Sequence, residues 1–359
     1  MKQVPPSVVL VTGVSRFLPA QLASRLAAEP SIERVLGVDT VPPPRDLLRQ
    51  LGRTELVRAD IRNPHIAKVI SSAGVDTVVH ASLSANPVGS GGRSAMKEMN
   101  VIGTMQLLAA CQRAESVQRL VLKSTAAVYG ASSRDPALFT EAMTPKELPS
   151  GGYAKDAAEI EGYVRGFGRR RPDVSVTMLR FTNLIGPQIE TVLTRYFALP
   201  VVPTVLGYDA RVQLLHEQDA VQVLERATRE ELPGVFNVGG AGVLMLSQAI
   251  RRAGRLPFPV PDMAVGAVGR ALRSARLADF SPGQVRFLNF GRVVDTTKLR
   301  EEFGFTPRWG TVEAFDDYVS GRHLRPVIPP ERVREAEQRL LTLAQTASEM
   351  REVPCQKRV

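Results

Sequence analysis

Two apolar patterns alternate along the first 180 residues. Short, nearly unbroken apolar runs at Val8–Thr12, Arg34–Asp39, Glu55–Asp60, Thr77–His80, Leu120–Ser124 and Ser175–Arg180 read as strands buried on both faces. Between them, apolar residues three and four apart predict helices over Leu18–Ala28, His65–Ala73, Ala95–Ala114 and Ala154–Gly168. Strands alternating with helices predict an α/β fold, a Rossmann doubly wound parallel sheet with helices on both faces. From Asn183 the pattern breaks up. Pro187, Pro200, Pro203, Pro233, Pro257, Pro259 and Pro261 punctuate it, and only short pieces such as Leu214–Leu215 and Val235–Val238 recur. The expected organisation is a Rossmann domain over residues 1–182 and a smaller irregular C-terminal lobe over 183–330, with elements returning to the first domain. A C-terminal helix and tail follow over 331–359.

The first strand runs into Gly13-Val14-Ser15-Arg16-Phe17-Leu18-Pro19, a strand–turn–helix junction. Dinucleotide-binding turns carry three glycines, for the sharp bend, for approach of the pyrophosphate and for helix–strand packing. Here only Gly13 remains, with Arg16 and Pro19 at the other two positions. Pro19 is compatible with the first helical turn, where its missing N–H is not needed. Arg16 either pairs with a pyrophosphate or points into solvent. The second strand ends at Asp39. A carboxylate there accepts hydrogen bonds from ribose hydroxyls and repels a 2′-phosphate, which favours NAD over NADP; the plainer reading is a loop or cap aspartate. Gly13, Ser15, Arg16, Phe17, Leu18 and Asp39 are therefore the first candidate cofactor contacts.

Further along stand Ala59-Asp60-Ile61-Arg62, Val78-Val79-His80-Ala81-Ser82, Asn100-Val101-Ile102-Gly103-Thr104 and Lys123-Ser124-Thr125-Ala126-Ala127-Val128-Tyr129-Gly130. Then come Lys155 with Ala157-Ala158-Glu159, and Leu179-Arg180-Phe181-Thr182-Asn183-Leu184-Ile185-Gly186-Pro187. Leu214-Leu215-His216-Glu217-Gln218-Asp219, Phe236-Asn237-Val238-Gly239 and Asp295-Thr296-Thr297-Lys298-Leu299 complete the series, with Phe303-Gly304-Phe305-Thr306-Pro307. In this order the set resembles the NAD-dependent epimerase/dehydratase family of extended short-chain dehydrogenases/reductases, whose best-known member is UDP-galactose 4-epimerase. It is most similar to an actinobacterial epimerase-like subgroup. The resemblance implies that Asp60 and Ile61 flank the adenine and that Ala81 and Ser82 border the pyrophosphate and nicotinamide ribose. It implies that Asn100 supports the cofactor edge of the sheet, that Ser124 lies beside the cofactor and that Lys155 holds the ribose hydroxyls. Thr125 would face the reacting oxygen of the substrate, Asn183 would open the nucleotide-sugar cleft, and Arg211, one residue off the family's register, would meet a substrate diphosphate.

The family's proton carrier is a tyrosine four residues before the lysine, its phenol made acidic by nearby positive charge. Four residues before Lys155 stands Gly151. Tyr153 lies only two residues before it, and such residues point to nearly opposite sides of a helix. Tyr153 serves as acid/base only if the glycines ahead of it swing it inward; otherwise it is structural or touches substrate. Thr125, Tyr153 and Lys155 are the catalytic candidates. His80 and His216 read as structural. The function implied is an NAD-dependent sugar-nucleotide epimerase/dehydratase-like oxidoreductase with an atypical active site, acting on a nucleotide sugar. The alternative is a catalytically idle NAD- or ligand-binding sensor or assembly protein on the same fold.

Composition changes this picture little. Of 46 basic residues only eight are lysine, and the net charge of +10 is dispersed rather than blocked. No nucleic-acid recognition motif accompanies it. The stretch Met263–Leu277 reads as a lobe helix or a basic amphipathic surface helix, and Pro330–Met350 as a terminal amphipathic helix. Two distant cysteines, Cys111 and Cys355, offer neither a disulfide framework nor a metal site. No membrane span or signal peptide is expected, so the cytoplasm is the expected location. A homodimer is the family's habit.

Overall fold

A computed structural model describes residues 5–83, 92–144, 152–261, 263–267, 269 and 282–327. Much of the Met263–Leu277 stretch, the whole Pro330–Met350 helix, Gly151 and Cys355 lie outside them.

The order of elements is β1 Val8–Thr12, α1 Phe17–Ala28, β2 Arg34–Asp39, α2 Arg45–Leu48, β3 Glu55–Arg58, α3 His65–Ala73 and β4 Thr77–His80. Then follow α4 Gly92–Lys97, α5 Gly103–Arg113, β5 Arg119–Thr125, α6 Gly152–Arg170 and β6 Ser175–Phe181. The expected helix over Ala95–Ala114 is thus two helices, joined by a wider helical turn at Glu98–Ile102. Next come β7 Asn183–Ile185, α7 Val192–Ala198, β8 Val201–Val205, β9 Arg211–Val212, β10 Leu214–His216, α8 Glu217–Arg229 and β11 Gly234–Val238. The described residues end with β12 Leu244–Met245, α9 Leu246–Arg252, β13 Leu256–Val260, β14 Gly291–Arg292 and helices at Pro282–Phe290, Thr297–Glu301 and Thr311–Gly321.

Seven strands form one parallel sheet in the order β11-β6-β5-β4-β1-β2-β3. Both faces of each central strand are apolar because both are covered. Val9, Val11, Val121 and Leu179 pack with Leu18, Leu22 and Leu26 of α1 and Val223 and Leu224 of α8. Leu10, Val78, Leu120 and Leu122 pack on the other side with α3, α5 and α6. Each fully buried leucine contributes roughly 1.5–3 kcal/mol relative to an exposed one. The lobe expected after Asn183 has a core of its own around Phe197, Val212, Leu214, Ile250 and Phe315. Its boundary is porous, since β11 returns to close the main sheet beside β6. Among the described residues no helix is long and apolar enough to cross a membrane.

The chain reverses its direction of strand addition between β1 and β4. The carboxyl ends of those strands define the cleft of a doubly wound sheet, and the candidate site lies there.

Candidate active site

At the end of β1 the chain turns at Gly13, whose φ is +86°. A Cβ built there would stand 2.9 Å from both Cα and Cβ of Ser82, in the loop after β4. Glycine is therefore needed twice over, for its left-handed backbone and for close approach of the two strand ends. Arg16 occupies the cap position of α1 without a side-chain cap bond, and the first turn has no acidic residue. Phe17 and Leu18 thus begin a helix whose first N–H groups are left for an anion. Pro19 sits within that first turn and is buried. At the end of β2, Asp39 accepts the backbone N–H of Ser15 at 2.9 Å and that of Thr40 at 2.7 Å. These residues fit a dinucleotide: a glycine that clears the approach, an open helix start and a carboxylate at the end of the second strand.

Three further residues expected from the sequence follow. Asp60 is engaged by Arg62, whose guanidinium reaches it at 2.6 Å, and its carboxyl is held below the usual range by those bonds. Ile61 is buried against Gly103, at the start of α5. Asn100 is buried in the wide turn before that helix. Beneath the cleft runs a hydroxyl–imidazole chain. Thr12 Oγ1 meets His80 Nδ1 at 3.0 Å, and His80 Nε2 meets Thr104 Oγ1 at 2.8 Å. Thr12 Oγ1 also accepts the N–H groups of Ala81 and Ser82 at 3.1 and 3.3 Å. Burial, with Lys123 nearby, pulls His80 down to about 3, so the ring is neutral and structural.

On β5 the side chains alternate. Ser124 gives its hydroxyl to the buried carboxylate of Glu161 at 2.6 Å. Lys123 and Thr125 face the cleft side. Lys123, not singled out from the sequence, donates to the carbonyl of Leu83 at 3.3 Å. Burial, with the Arg16 guanidinium alongside, draws its ammonium down to about 8. The Arg16 side chain lies back over the turn and donates to the carbonyl of Ser82 at 2.7 Å.

Gly152, with φ +70°, opens α6, and Tyr153 turns toward the core, close enough to Thr125 for that hydroxyl to favour the ionised phenol. Thr125 Oγ1 accepts the N–H of Ala127 at 3.1 Å. Burial pushes the Tyr153 phenol up to about 12, against the pull of Thr125 and of Arg16. Lys155 is exposed. The helix faces explain why. Tyr153, Ala157 and Glu161 are four apart on one side, and Glu161 is pinned by Arg180 of β6 at 2.7 and 2.9 Å. Lys155 lies two residues from Tyr153 and falls on another face. The residue four beyond the tyrosine is Ala157, fully buried.

In the lobe, Asn183 is half-buried at the start of β7. Arg211 is half-buried in β9, next to β14 with Arg292. Arg292 was also missed from the sequence, where a lone Gly-Arg pair gives no pattern. It donates to the carbonyl of Gly130 at 2.6 Å, lies over the ring of Phe287, and burial draws it down to about 10. The Leu-Leu-His-Glu-Gln-Asp stretch is structural. His216 caps α8 through the N–H of Gln218, meets Asp317 at 3.0 Å and stacks on Trp309. Asp219 accepts the N–H groups of Arg308 and Trp309, each at 3.0 Å.

A seven-stranded parallel sheet with a glycine turn, an acidic end to its second strand and a threonine–tyrosine pair beyond its fifth defines a short-chain dehydrogenase/reductase type of Rossmann protein. The chain belongs to the NAD dependent epimerase/dehydratase family, whose sequence pattern matches residues 9–239. An uncharacterized protein of Mycobacterium tuberculosis is 54% identical over 349 residues, 97% of this chain and 93% of that one. The UDP-glucose 4-epimerase of Thermus thermophilus, solved with NAD, matches with a TM-score of 0.68 at 21% identity, over 88% of this chain and 99% of that one. The dTDP-glucose 4,6-dehydratase of Bacillus anthracis, also solved with NAD, matches at 0.66 and 17% identity, over 88% and 96%. At those identities the two structures share the fold.

Proposed function

We propose that the protein is an NAD-dependent oxidoreductase of the epimerase/dehydratase type acting on a nucleotide sugar. Tyr153, brought near Thr125 at the mouth of the cleft by the turn at Gly152, carries this reading. NAD, when bound, supplies the hydride acceptor. Gly13, Ser15, Arg16, Phe17 and Leu18 would hold its pyrophosphate and Asp39 its adenosine ribose. Ala81, Ser82 and Asn100 line the same end of the sheet, with Asp60 and Ile61 at the adenine side. Tyr153 takes and returns the proton of a substrate hydroxyl, and Thr125 orients the same oxygen. Arg211 and Arg292, on adjacent short strands, suit the diphosphate of a nucleotide sugar, with Asn183 at the cleft between the lobes. A cytoplasmic homodimer is the assembly this reading carries.

A second reading, an idle dinucleotide-binding protein, is favoured by one observation: Ala157 offers no cation where the family places its lysine. One experiment separates the two. Purified protein is titrated with NAD and NADP by calorimetry, then incubated with UDP-glucose, UDP-glucuronate and dTDP-glucose while product is followed by chromatography. Turnover that Tyr153→Phe abolishes supports the enzyme. NAD binding without conversion of any sugar supports the idle protein. Failure of both dinucleotides to bind at about millimolar concentration, a binding free energy near 4 kcal/mol, removes both.

A further inference from the structure

Tyr153 stands at the start of a helix, where a side chain is only as well placed as the turn that carries it. Gly152, just before it, has φ +70°, and a Cβ built there would meet nothing within 4 Å. Close packing therefore does not fix the entrance of α6 at that residue, and glycine leaves its backbone many conformations. The ion pair of Glu161 with Arg180 lies two turns further on. Arg93, the second residue of α4, reaches the entrance itself. Its Nη1 donates to one carboxylate oxygen of Asp156 at 2.5 Å. Its Nη2 donates to the other at 2.6 Å and to the carbonyl of Gly152 at 2.8 Å. The Asp156 side chain is 1% exposed, so its charge is out of water and needs that partner.

We propose that Arg93 is the positioning residue for Tyr153. One guanidinium grips the residue before the tyrosine by its carbonyl and the residue three after it by its carboxylate, so Tyr153 is bracketed along the first turn. The inference rests on the proposed acid/base role of Tyr153 for its use in catalysis, but the placement of the side chain does not. Three features support it. The contact with Asp156 is bidentate, which fixes direction as well as distance. It joins α6 to α4, so the phenol is held relative to a second element and not only to its own helix. The Gly152 carbonyl is held at the residue whose positive φ sets how the chain enters α6. A lysine at position 93 would bring a point charge without the fork that meets all three oxygens. Such placement matters for chemistry, because a displacement of about 1 Å at a reacting group costs about a hundredfold in rate. Arg93 and Asp156 stand 63 residues apart, so the pairing has no local signal in the sequence.

The test reads the tyrosines directly. The chain has six, and 3-fluorotyrosine replaces them all, with the Tyr153 signal identified by its loss in Tyr153→Phe. Arg93→Gln is expected to shift or broaden the fluorine signal of Tyr153. The signals of Tyr163, further along α6, and of Tyr196 and Tyr318 in the lobe should stay in place. Arg93→Lys is expected to move the Tyr153 signal less than Arg93→Gln does. An unmoved Tyr153 signal in Arg93→Gln overturns the proposal, as do equal changes at all the tyrosines, the mark of general loosening. Should Arg93→Gln fail to fold, Asp156→Asn breaks the same ion pair with little change of shape, and an unmoved Tyr153 signal there overturns the proposal. Turnover is a separate measurement. With a nucleotide sugar that is converted, Arg93→Gln should lower kcat by about tenfold or more and leave KM within about twofold; a loss confined to KM overturns the positioning role. If Tyr153→Phe leaves turnover intact, the proposed function falls while the fluorine spectrum still reports on Arg93.

Discussion

Glu161 holds α6 in register, and its removal is a sharp test of how the site is positioned. The carboxylate is almost fully buried and accepts from Arg180 at 2.9 and 2.7 Å, Ser124 at 2.6 Å and Arg165 at 3.1 Å. Glu161→Gln leaves the Arg180 guanidinium buried beside a neutral amide, with Tyr129 and the Glu141 carbonyl as its remaining partners. Breaking one member of such a buried pair costs about 3–5 kcal/mol, more than a third of the stability of a typical domain. The joint replacement Glu161→Leu with Arg180→Met removes both charges and leaves chiefly the Ser124 hydroxyl without its partner, a cost of about 1–3 kcal/mol. Urea unfolding at pH 7 measures all three proteins. Burial raises the Glu161 carboxyl, but the bonds from Arg180 outweigh it, and the net position is below the usual 4.5. The contribution of the pair is therefore present above that pH and lost as pH falls below it. Glu161→Gln should flatten this acid limb. A single-substitution cost below about 1 kcal/mol, the range of an exposed ion pair, would refute this account, as would a joint replacement that costs more than Glu161→Gln.

Other consequences follow from the same geometry. Gly13→Ala forces a left-handed backbone and a 2.9 Å clash with Ser82, so dinucleotide affinity measured by calorimetry should fall by about 2 kcal/mol, roughly thirtyfold. An unchanged affinity would show that the turn opens freely. Lys123 is drawn from 10.5 down to about 8, so the unfolded chain binds more protons between those values and stability should rise with pH across that window. Lys123→Met should be more stable than the parent at pH 7, with the advantage shrinking toward pH 10; an advantage that grows with pH contradicts the burial argument. Lys155→Ala removes an exposed side chain and should alter stability and dinucleotide affinity by no more than about 0.5 kcal/mol, about twofold. A tenfold loss of affinity would return Lys155 to the cofactor.

The fold was legible because its signals are local. Buried parallel strands have to be apolar on both faces, and the starts of β1, β2, β4 and β6 fall where the apolar runs begin. Gly13 and Asp39 were legible for the same reason: a turn that needs positive φ and a carboxylate ending a strand are written at single positions. The Arg180 clue was also present, since an arginine within an apolar strand requires a buried carboxylate, but two glutamates on α6 compete for it. Only packing shows that Glu161 pairs with Arg180 while Glu159 bonds Tyr163. That choice rotates α6, places Tyr153 against Thr125 and sends Lys155 to solvent. Spacing within a helix sets which residues share a face, but contacts far along the chain decide which face is turned inward. Arg16 and Lys123 share this dependence: each is a lone basic residue in sequence and becomes a cleft cation only when β1, β4 and β5 lie side by side. Sequence alone thus determined the layered sheet and the turn that opens its cleft. Tertiary structure decided which hydroxyls and charges meet inside it, because phase and proximity are properties of the packed chain.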